Sequence, residues 1–366
     1  MARRFIAVGE PAPWFTVRST VNPRFCFDTV AGRYVVLCFL GSGSDPIGAR
    51  MLASIWRQRQ VFDDVNAVFL GVSADPADEV GDRIINEFPD FLLFWDMDFA
   101  VSEKFGAAKE KSEAGTPFSP VTYILDPRLR VLAVMTNEGS PETLGNRVAD
   151  FIARQPAARP PSPANVQAPI LVVPRLFEPA LCRELIKYYE DHGGEDSGFM
   201  REVDGLTVGV TDYSHKRRRD QELEDGELRN MCMHRIHDRL VPEIHKAFQF
   251  RATRMERHIV ACYEAETSGH FRAHRDNTTK GTAHRRFAVS LILNTGEFEG
   301  GYLRFPEFGQ HLYSAPTGGA VVFSCSLLHE ATPVTSGKRY VYLPFLYDDA
   351  AAKIREENLK YVAKDI

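Results

Sequence analysis

Several features that mark familiar classes of protein are missing from this sequence. Its apolar runs stay well short of the roughly 18 residues that a membrane-spanning helix needs, so we expect no membrane segment. The N-terminal stretch MARRFIAVGEPAPWF has basic residues but no apolar core, so it is not expected to act as a secretory signal. The formal net charge of −5 argues against a general nucleic-acid-binding protein, which needs a basic surface.

Paired cysteines are also lacking. The six cysteines form no CxxC pair and show no zinc-like spacing, and most lie in apolar strings such as VVLCFL and IVACY. This pattern predicts reduced, buried thiols in a cytoplasmic protein. What is present is ordinary for a globular chain: 366 residues, 44% hydrophobic and 25% charged, a length that suits two domains.

A proline-rich stretch divides the sequence. RQPAARPPSPANVQAP, residues 154–169, contains five prolines among small and polar residues and predicts a stiff linker. We therefore predict a first domain over 1–155, a linker over 156–168, and a second domain over 169–366 with its core at 257–347.

The first half alternates predicted strands with predicted helices. The apolar run YVVLCFL is typical of a strand buried on both faces. The pattern as a whole predicts an α/β, thioredoxin-like sheet that ends in a hairpin and a closing helix. The predicted strands are 34–40, 67–72, 91–95, 121–125 and 131–135, and the predicted helices are 46–61, 76–87 (capped by Asp75) and 141–153.

Three motifs in this half, GEPAPWFTV, FLGSGSDPIGAR and TYILDP, resemble the peroxiredoxin family. The resemblance implies a reactive cysteine three residues after Ser42, but Asp45 stands there, and a carboxylate cannot replace a low-pKa thiolate as the nucleophile. The position of the family's arginine is occupied by Pro120. We interpret this half as a non-peroxidatic relative that serves assembly or partner binding, with a homodimer as one possibility. Cys38 lies inside an apolar strand, which favours a core position over a displaced reactive thiol.

The second half begins with helices and continues as short strands. LFEPALCRELIKYYEDHG predicts a helix, and a second helix is predicted over 227–248; the histidines of this second segment are expected on its surface. From residue 259 onward, short strands separated by turn signals predict a sandwich or jelly-roll barrel, that is, a double-stranded β-helix.

The stretch GHFRAHRDN is either a solvated charged segment or part of a metal site. On a strand, His274 and Asp276 project from the same face, together with Arg272. SLLHEATP supplies a third candidate ligand, the second imidazole His329, late in the same predicted barrel. Two histidines and one carboxylate on one face of an octahedron leave three positions open, as in non-haem Fe(II) oxygenases. Arg339, ten residues later, is suited to bind the distal carboxylate of 2-oxoglutarate.

The stretches IVACYEAETSGHFRAHRDN, RRFAVSLILN, EFEGGYLRFPEFG and AVVFSCSLLHEATPVTSGKRY resemble the 2-oxoglutarate/Fe(II)-dependent prolyl 4-hydroxylase family. The resemblance implies that His274, Asp276 and His329 bind iron and that Arg339 binds 2-oxoglutarate. It also places Tyr263 in the pocket. One departure is Ile292, where the family often has a tyrosine that contacts the co-substrate; Tyr263 or Thr335 is a candidate replacement.

Candidates for substrate contact are Arg272, Arg286 and Arg219. The last belongs to YSHKRRR, which is either a solvated charge cluster or a segment that attracts an acidic peptide. We expect an enzyme that uses Fe(II), 2-oxoglutarate and O2, with ascorbate as a candidate reductant, to hydroxylate a prolyl residue of a peptide or protein. Two alternatives remain: a hydroxylase of a free amino acid or natural-product intermediate, and a thiol or partner-binding protein that acts through its first half.

Overall fold

The computed structural model describes residues 5–80, 90–109, 117–136, 139–164 and 166–363. The chain divides into two compact units, Met1–Ser162 and Pro163–Ile366, which are treated separately below. In the described ranges, no helix has the length and apolarity that crossing a membrane requires.

The first unit is a seven-stranded mixed sheet with helices on both faces. Strands β3, β4 and β5 are parallel neighbours, and β6 and β7 form the predicted antiparallel hairpin, giving the order β2-β1-β5-β4-β3-β6-β7. Its elements are β1 Thr16–Ser19, β2 Phe25–Cys26, β3 Tyr34–Gly41, α1 Pro46–Trp56, β4 Ala67–Ser73, α2 Pro76–Val80, β5 Phe91–Trp95, α3 Ala100–Lys104, β6 Val121–Leu125, β7 Val131–Met135 and α4 Leu144–Ala153, with short 3-10 turns at Phe27–Val30, Arg59–Val61 and Pro141–Thr143.

Alternation along β3 explains why this sheet carries two separate cores. Val35, Leu37 and Phe39 pack in one buried cluster, while Val36 and Cys38 pack in another against the helices α1 and α4. The predicted thioredoxin-like α/β fold is therefore confirmed. The predicted helix over 76–87 begins as expected at Pro76, and its part beyond residue 80 lies outside the described residues.

The second unit consists of antiparallel strands preceded by helices. Its elements are β8 Leu171–Val173, α5 Pro179–His192, β9 Glu195–Asp196, β10 Phe199–Val203, β11 Leu206–Val210, β12 Lys216–Arg217, β13 Arg219–Glu222, α6 Glu227–Arg239, α7 Val241–Phe248, β14 Arg254–Glu256, β15 Ile259–Glu264, β16 His270–His274, β17 Phe287–Ile292, β18 Phe298–Gly300, β19 Leu303–Arg304, β20 Leu312–Tyr313, β21 Ala320–Ser324, β22 His329–Ala331, β23 Val334–Tyr342, β24 Phe345–Tyr347 and α8 Asp349–Asn358, with 3-10 turns at Ala265–Thr267, Lys280–Thr282, Pro306–Phe308 and Leu359–Tyr361.

Two of its sheets position the site. A ten-stranded sheet contains the path β14-β24-β17-β23-β15-β13-β9, and a five-stranded sheet has the order β12-β16-β22-β19-β20. Side chains from both, among them Tyr263, Ile292, Phe271 and Ala331, belong to one buried cluster. The fold is the predicted helix-plus-jelly-roll type, but among the described strands the sheets do not close into a barrel.

The single helix predicted over 227–248 is wrong. The chain forms α6 and α7, which meet at Leu240. Pro242 lies in the first turn of α7, where its missing N–H costs nothing; inside a continuous helix it would remove a hydrogen bond and its ring would clash with the preceding turn. The apolar spacing continues across the break, which is why the pattern predicted one helix.

Candidate functional site

The three residues of the predicted triad meet because two strands pair. His274 ends β16 and His329 begins β22, and the antiparallel ladder places these two residues opposite each other. Asp276 lies two residues beyond β16, and its backbone N–H donates to the carbonyl of Cys325 at 3.0 Å. Residues far apart in sequence thus converge at one point of the five-stranded sheet.

The donor atoms are arranged around a common centre. The Asp276 carboxylate lies 3.6 Å from His274 Nε2 through Oδ1 and 3.4 Å from His329 Nε2 through Oδ2. One ligand atom from each residue lies within 4.8 Å of the others. A two-histidine, one-carboxylate set with this spacing is suited to a metal that keeps open coordination positions.

Hydrogen bonds on the far side of each imidazole fix which nitrogen faces the centre. His274 Nδ1 lies 2.7 Å from the carbonyl of Arg272, and His329 Nδ1 lies 3.0 Å from the carbonyl of Leu327. A carbonyl only accepts, so each Nδ1 must carry a proton, and each Nε2 faces Asp276. This is the usual way in which a protein orients histidine ligands.

Electrostatics favour the metal-binding protonation states. Burial lowers the pKa of His329 to about 4, although the nearby Asp276 opposes that shift, so this imidazole is neutral at pH 7. Burial also acts to raise the pKa of Asp276, but the neighbouring His329 and His274 outweigh it and hold the pKa below its ordinary value. One neutral ring and one carboxylate are thus available without proton loss.

The strict alternation predicted for GHFRAHRDN is wrong. Between Phe271 and His274 the ladder shifts register, so three steps on β16 face two on β22; this is a β-bulge. As a result Phe271 and His274 lie on the same side, with their rings stacked at 3.5 Å. Arg272 is exposed, and its Nε donates to the carbonyl of Ser214 at 2.6 Å. It supports the site through its backbone carbonyl, not through its side chain.

Arg339 is buried in the wall of the same pocket, with only 2% of its surface exposed. It lies on β23 opposite Tyr263 of β15, with its guanidinium 5.1 Å from the Tyr263 ring, and Nη2 donates to Ser290 Oγ at 3.1 Å. Gly301 is required beside it, since a Cβ there would approach Arg339 Cδ to 2.6 Å.

The charge of Arg339 has no carboxylate counterion among the residues that the structure describes. Its Nε is buried without a hydrogen-bond partner, and none of the described carboxylates forms an ion pair with it. Burial, and to a lesser extent Arg218, lower its pKa. A buried guanidinium left in this condition is costly unless an anion binds, which is the situation expected of a carboxylate-binding residue.

The pocket that joins these residues encloses about 530 Å³ of space, part of which is open solvent. Tyr263, the predicted co-substrate residue, lines it and is buried. Thr335 is exposed and Arg286 donates to the carbonyl of Ala283, and neither lines the pocket. Arg219 does not line it either and donates to the carbonyl of Gly194 at 2.8 Å.

Sequence reasoning missed two arginines that do line the pocket, Arg218 and Arg257. In the YSHKRRR segment, Lys216 and Arg217 form β12, which pairs with β16, and Arg219 begins β13, which pairs with β15; Arg218 lies between the two strands. Alternation along this segment turns Arg218 inward and Arg219 outward. That alternation was the available signal for choosing between the two.

In the first unit, Asp45 is the N-cap of α1. Its Oδ1 accepts from the backbone N–H groups of Ile47 at 2.8 Å and Gly48 at 3.4 Å. Cys38 is buried in β3, and burial raises the pKa of its thiol to about 12. The position where the peroxiredoxin resemblance implied a nucleophile therefore holds a capping carboxylate, and the nearest core thiol stays protonated.

Both halves match known families. Residues 258–347 match the 2OG-Fe(II) oxygenase superfamily and residues 8–134 match the AhpC/TSA family. The chain thus carries a C-terminal 2OG-Fe(II) oxygenase domain and an N-terminal peroxiredoxin-like domain.

Among curated proteins, human procollagen-lysine,2-oxoglutarate 5-dioxygenase 2 is 27% identical over 177 residues, which cover 47% of this chain and 22% of that protein. A PKHD-type hydroxylase of Thioalkalivibrio sulfidiphilus (strain HL-EbGR7) is 24% identical over 178 residues, 46% of this chain and 74% of that protein. The chain therefore spans about a fifth of the length of the first of these relatives.

Among solved structures, a Pseudomonas putida prolyl-4-hydroxylase is 18% identical, with a TM-score of 0.38, and the match covers 50% of this chain and 93% of that one. Peroxidoxin BcpB from Mycobacterium tuberculosis is 20% identical, with a TM-score of 0.36, and the match covers 41% of this chain and 99% of that one.

Proposed function

We propose that the second unit is an Fe(II)- and 2-oxoglutarate-dependent dioxygenase that hydroxylates an unactivated C–H bond, with a prolyl residue of a peptide or protein as the preferred target. The observation that carries the proposal is that a candidate metal site and a buried, unpaired guanidinium lie in the same pocket. His274, Asp276 and His329 offer a facial set of metal ligands, and Arg339 offers a buried positive charge that no described protein group neutralises.

The residues of the pocket are suited to hold both iron and 2-oxoglutarate. The two Nε2 lone pairs and the Asp276 carboxylate would hold ferrous iron, which when bound supplies the activation of dioxygen. Arg339 and Ser290 would bind the distal carboxylate of 2-oxoglutarate, since a guanidinium fork and a hydroxyl both donate to carboxylate oxygen. Overall, one oxygen atom of O2 enters the substrate as a hydroxyl, and the other enters succinate as CO2 leaves.

The chain's own contribution is orientation and exclusion of water. The carbonyls of Arg272 and Leu327 keep both imidazoles turned toward the centre. The rings of Phe271 and Phe323 pack on His274 and His329, at 3.5 Å and 4.5 Å, and shield the ligands from solvent. Ordered ligands in a site with little water help to keep oxidation directed at the bound substrate.

The choice of a prolyl target rests on the sequence resemblance and on the pocket wall. The wall includes Leu343, Pro344 and Phe345, an apolar surface suited to a non-aromatic ring. A free amino acid or a natural-product intermediate with an apolar body would pack on the same surface and is the alternative. The relatives' names include both prolyl and lysyl hydroxylation chemistry, each stated of those proteins.

For the first unit we propose a non-peroxidatic role, with partner binding or pairing of two chains as its function. The support is the capping role of Asp45 and the buried, protonated Cys38. A test is peroxide consumption by the reduced protein, which should not exceed that of a Cys38→Ala variant.

The experiment for the main proposal starts from anaerobic protein mixed with Fe(II) and 2-oxoglutarate. A metal–co-substrate charge-transfer band should appear, and admission of air should yield succinate. His274→Ala should lose both the bound iron and the band, while exposed His245→Ala in α7 should retain them. Folded wild-type protein that shows neither band nor succinate would rule the proposal out. Mass spectrometry of proline-containing peptides for a gain of one oxygen then tests the target.

A further inference from the structure

We propose that the substrate of this oxygenase presents a negatively charged group to Arg257 at the pocket wall. The inference rests on the proposed oxygenase function and adds to it a substrate class: molecules with an apolar body and an anionic group. It is carried by an excess of positive charge, an incompletely used guanidinium and a strained backbone at the same residue.

Formal charges in and behind the pocket wall do not balance. Among the described residues, Arg218, Arg257 and Arg339 face two carboxylates, Asp220 and Asp276. Lys216 is left out of the count because burial lowers its pKa well below the ordinary value. Arg285, close behind the wall, is neutralised separately by Glu256 at 2.7 Å. Ferrous iron would add two positive charges and 2-oxoglutarate would remove two, so one positive charge stays uncompensated when both are bound.

Arg218 and Lys216 already have hydrogen-bond partners within the protein. Arg218 binds Asp220 through Nε and Nη2, both at 2.6 Å, and also donates to Tyr263 Oη and Ser197 Oγ at 3.3 Å. Lys216 donates to Ser197 Oγ at 2.7 Å and lies 5.0 Å from the Phe271 ring. Neither side chain is a free docking group.

Arg257 differs from both. Its Nη2 donates to Asp220 Oδ2 at 2.9 Å, an oxygen that Arg218 already uses, and its other donors have no hydrogen-bond partner among the described residues. Its side chain stays 32% exposed while lining the pocket, with the guanidinium 5.8 Å from the Phe345 ring. A planar group with spare N–H donors at the open side of the pocket is suited to bind a carboxylate or a phosphate.

The backbone of Arg257 supports a functional reading. Its φ is +62°, a left-handed conformation that is unfavourable for a residue with a long side chain. Here β14 ends at Glu256 and β15 begins at Ile259, so the left-handed residue lies in the connection between them. In this conformation the Arg257 side chain lines the pocket.

The test measures binding of matched probes to the whole protein loaded anaerobically with Mn(II), which prevents turnover, and with 2-oxoglutarate. The probes are acetyl-Pro-Glu-amide, its neutral analogue acetyl-Pro-Gln-amide, and acetyl-Pro-phosphoserine-amide. Wild-type protein should bind an anionic probe at least about tenfold more tightly than the neutral one. The preference between glutamyl and phosphoseryl probes distinguishes carboxylate from phosphate as the natural group.

Variants locate the effect. Arg257→Gln should reduce the preference to about twofold or less, and Arg257→Lys should retain most of it, because the charge persists. Arg257→Met takes the place of the Gln variant if the latter does not fold. The matched control is Arg251→Gln, an exposed arginine outside the pocket lining, which should behave as the wild type.

Two results would overturn the inference: wild-type protein that binds all three probes equally or not at all, or a charge preference that survives in Arg257→Gln. Succinate formation by the wild type with Fe(II), measured in parallel, separates a failure of the anionic-substrate inference from a failure of the proposed oxygenase function. Succinate without a charge preference removes only the anionic substrate, whereas no succinate removes the oxygenase itself.

Discussion

Two aspartates, one in each unit, follow a β-strand and have opposite surroundings. Asp45, after β3, is exposed, and its carboxylate accepts two backbone N–H groups at the start of α1. Asp276, after β16, is largely buried and faces two imidazole nitrogens at 3.4 and 3.6 Å. The first carboxylate is satisfied by the fold itself, and the second is surrounded by groups that only a cation would satisfy together. The partners of a carboxylate, not its position after a strand, separate a structural role from a metal-binding one.

The largest expected effect comes from removing the second carboxylate. Asp276→Ala deletes the group that faces both histidines, so Fe(II) retention should fall by more than about 100-fold, since even outer-shell changes cost about 10- to 100-fold. Iron per chain after anaerobic loading and desalting measures it. Asp45→Ala is the matched control and should keep its iron. Equal iron in both variants would erase the distinction drawn between the two aspartates.

A second prediction concerns the uncompensated charge of Arg339. Arg339→Met should weaken 2-oxoglutarate binding by about 2–5 kcal/mol, the usual loss when one partner of a buried charge pair is truncated. The same change should stabilise the ligand-free protein by about 1–3 kcal/mol, because an unpaired buried cation is replaced by an apolar side chain. Titration of Mn(II)-loaded protein with 2-oxoglutarate and urea unfolding measure the two effects.

This test is specific because 2-oxoglutarate affinity is expected to fall while the free energy of unfolding is expected to rise. A merely structural arginine would lose stability when truncated, together with affinity. Exposed Arg183→Met, on α5, should change neither quantity. Loss of stability in the Arg339 variant would show that the guanidinium is satisfied within the protein, against the geometry described above.

A third prediction contrasts the acid stability of the two units. All 11 histidines of the chain lie in the second unit. Among them His258 is buried, with Nδ1 2.8 Å from Tyr342 Oη, and burial lowers its pKa to about 4. Between about pH 6.5 and 4 the unfolded chain binds a proton at His258 and the folded chain does not. The contribution of His258 to the free energy of unfolding therefore decreases by about 3 kcal/mol as the pH is lowered through this window.

His258→Gln should remove the contribution of His258 to this dependence and leave that of His329, whose pKa burial also lowers to about 4. The difference in unfolding free energy between wild type and variant should therefore shrink as the pH falls from 7 to 4.5. Exposed His245→Gln should leave the pH dependence unchanged. A pH dependence in His258→Gln as steep as that of the wild type would assign the acid sensitivity to other groups.

The parts that could be predicted from the sequence are those fixed by local pattern. Buried strands such as β3 and β4 have long apolar runs, so their bounds differ from the predicted ones by a single residue. The four candidate site residues could be proposed together because their types and their spacing along the sequence can be recognised without knowledge of the exact backbone geometry. They are His274, Asp276, His329 and Arg339. Their assignment as ligands remains a proposal.

What could not be predicted depends on backbone irregularity and on non-local charge. The bulge before His274 exchanges the positions of Arg272 and Phe271, and a bulge leaves no mark in residue hydrophobicity. The proposed role of Arg257 depends on Asp220, whose Oδ2 accepts hydrogen bonds from both Arg257 and Arg218. Such sharing follows from sheet pairing and cannot be inferred from the run of basic residues alone.

The smallest expected effect belongs to the first aspartate. Asp45→Ala removes the side chain that caps α1 and should lower the free energy of unfolding by about 1 kcal/mol, the usual cost of losing an N-cap. Asp45→Asn keeps an acceptor oxygen and should lose only a few tenths. Urea unfolding and succinate formation are measured on both. Because the carboxylate is engaged with backbone N–H groups and not with a reacting group, turnover of 2-oxoglutarate should be the same in both variants; a drop in Asp45→Ala that exceeds its loss of folded protein would give the first unit a part in the reaction.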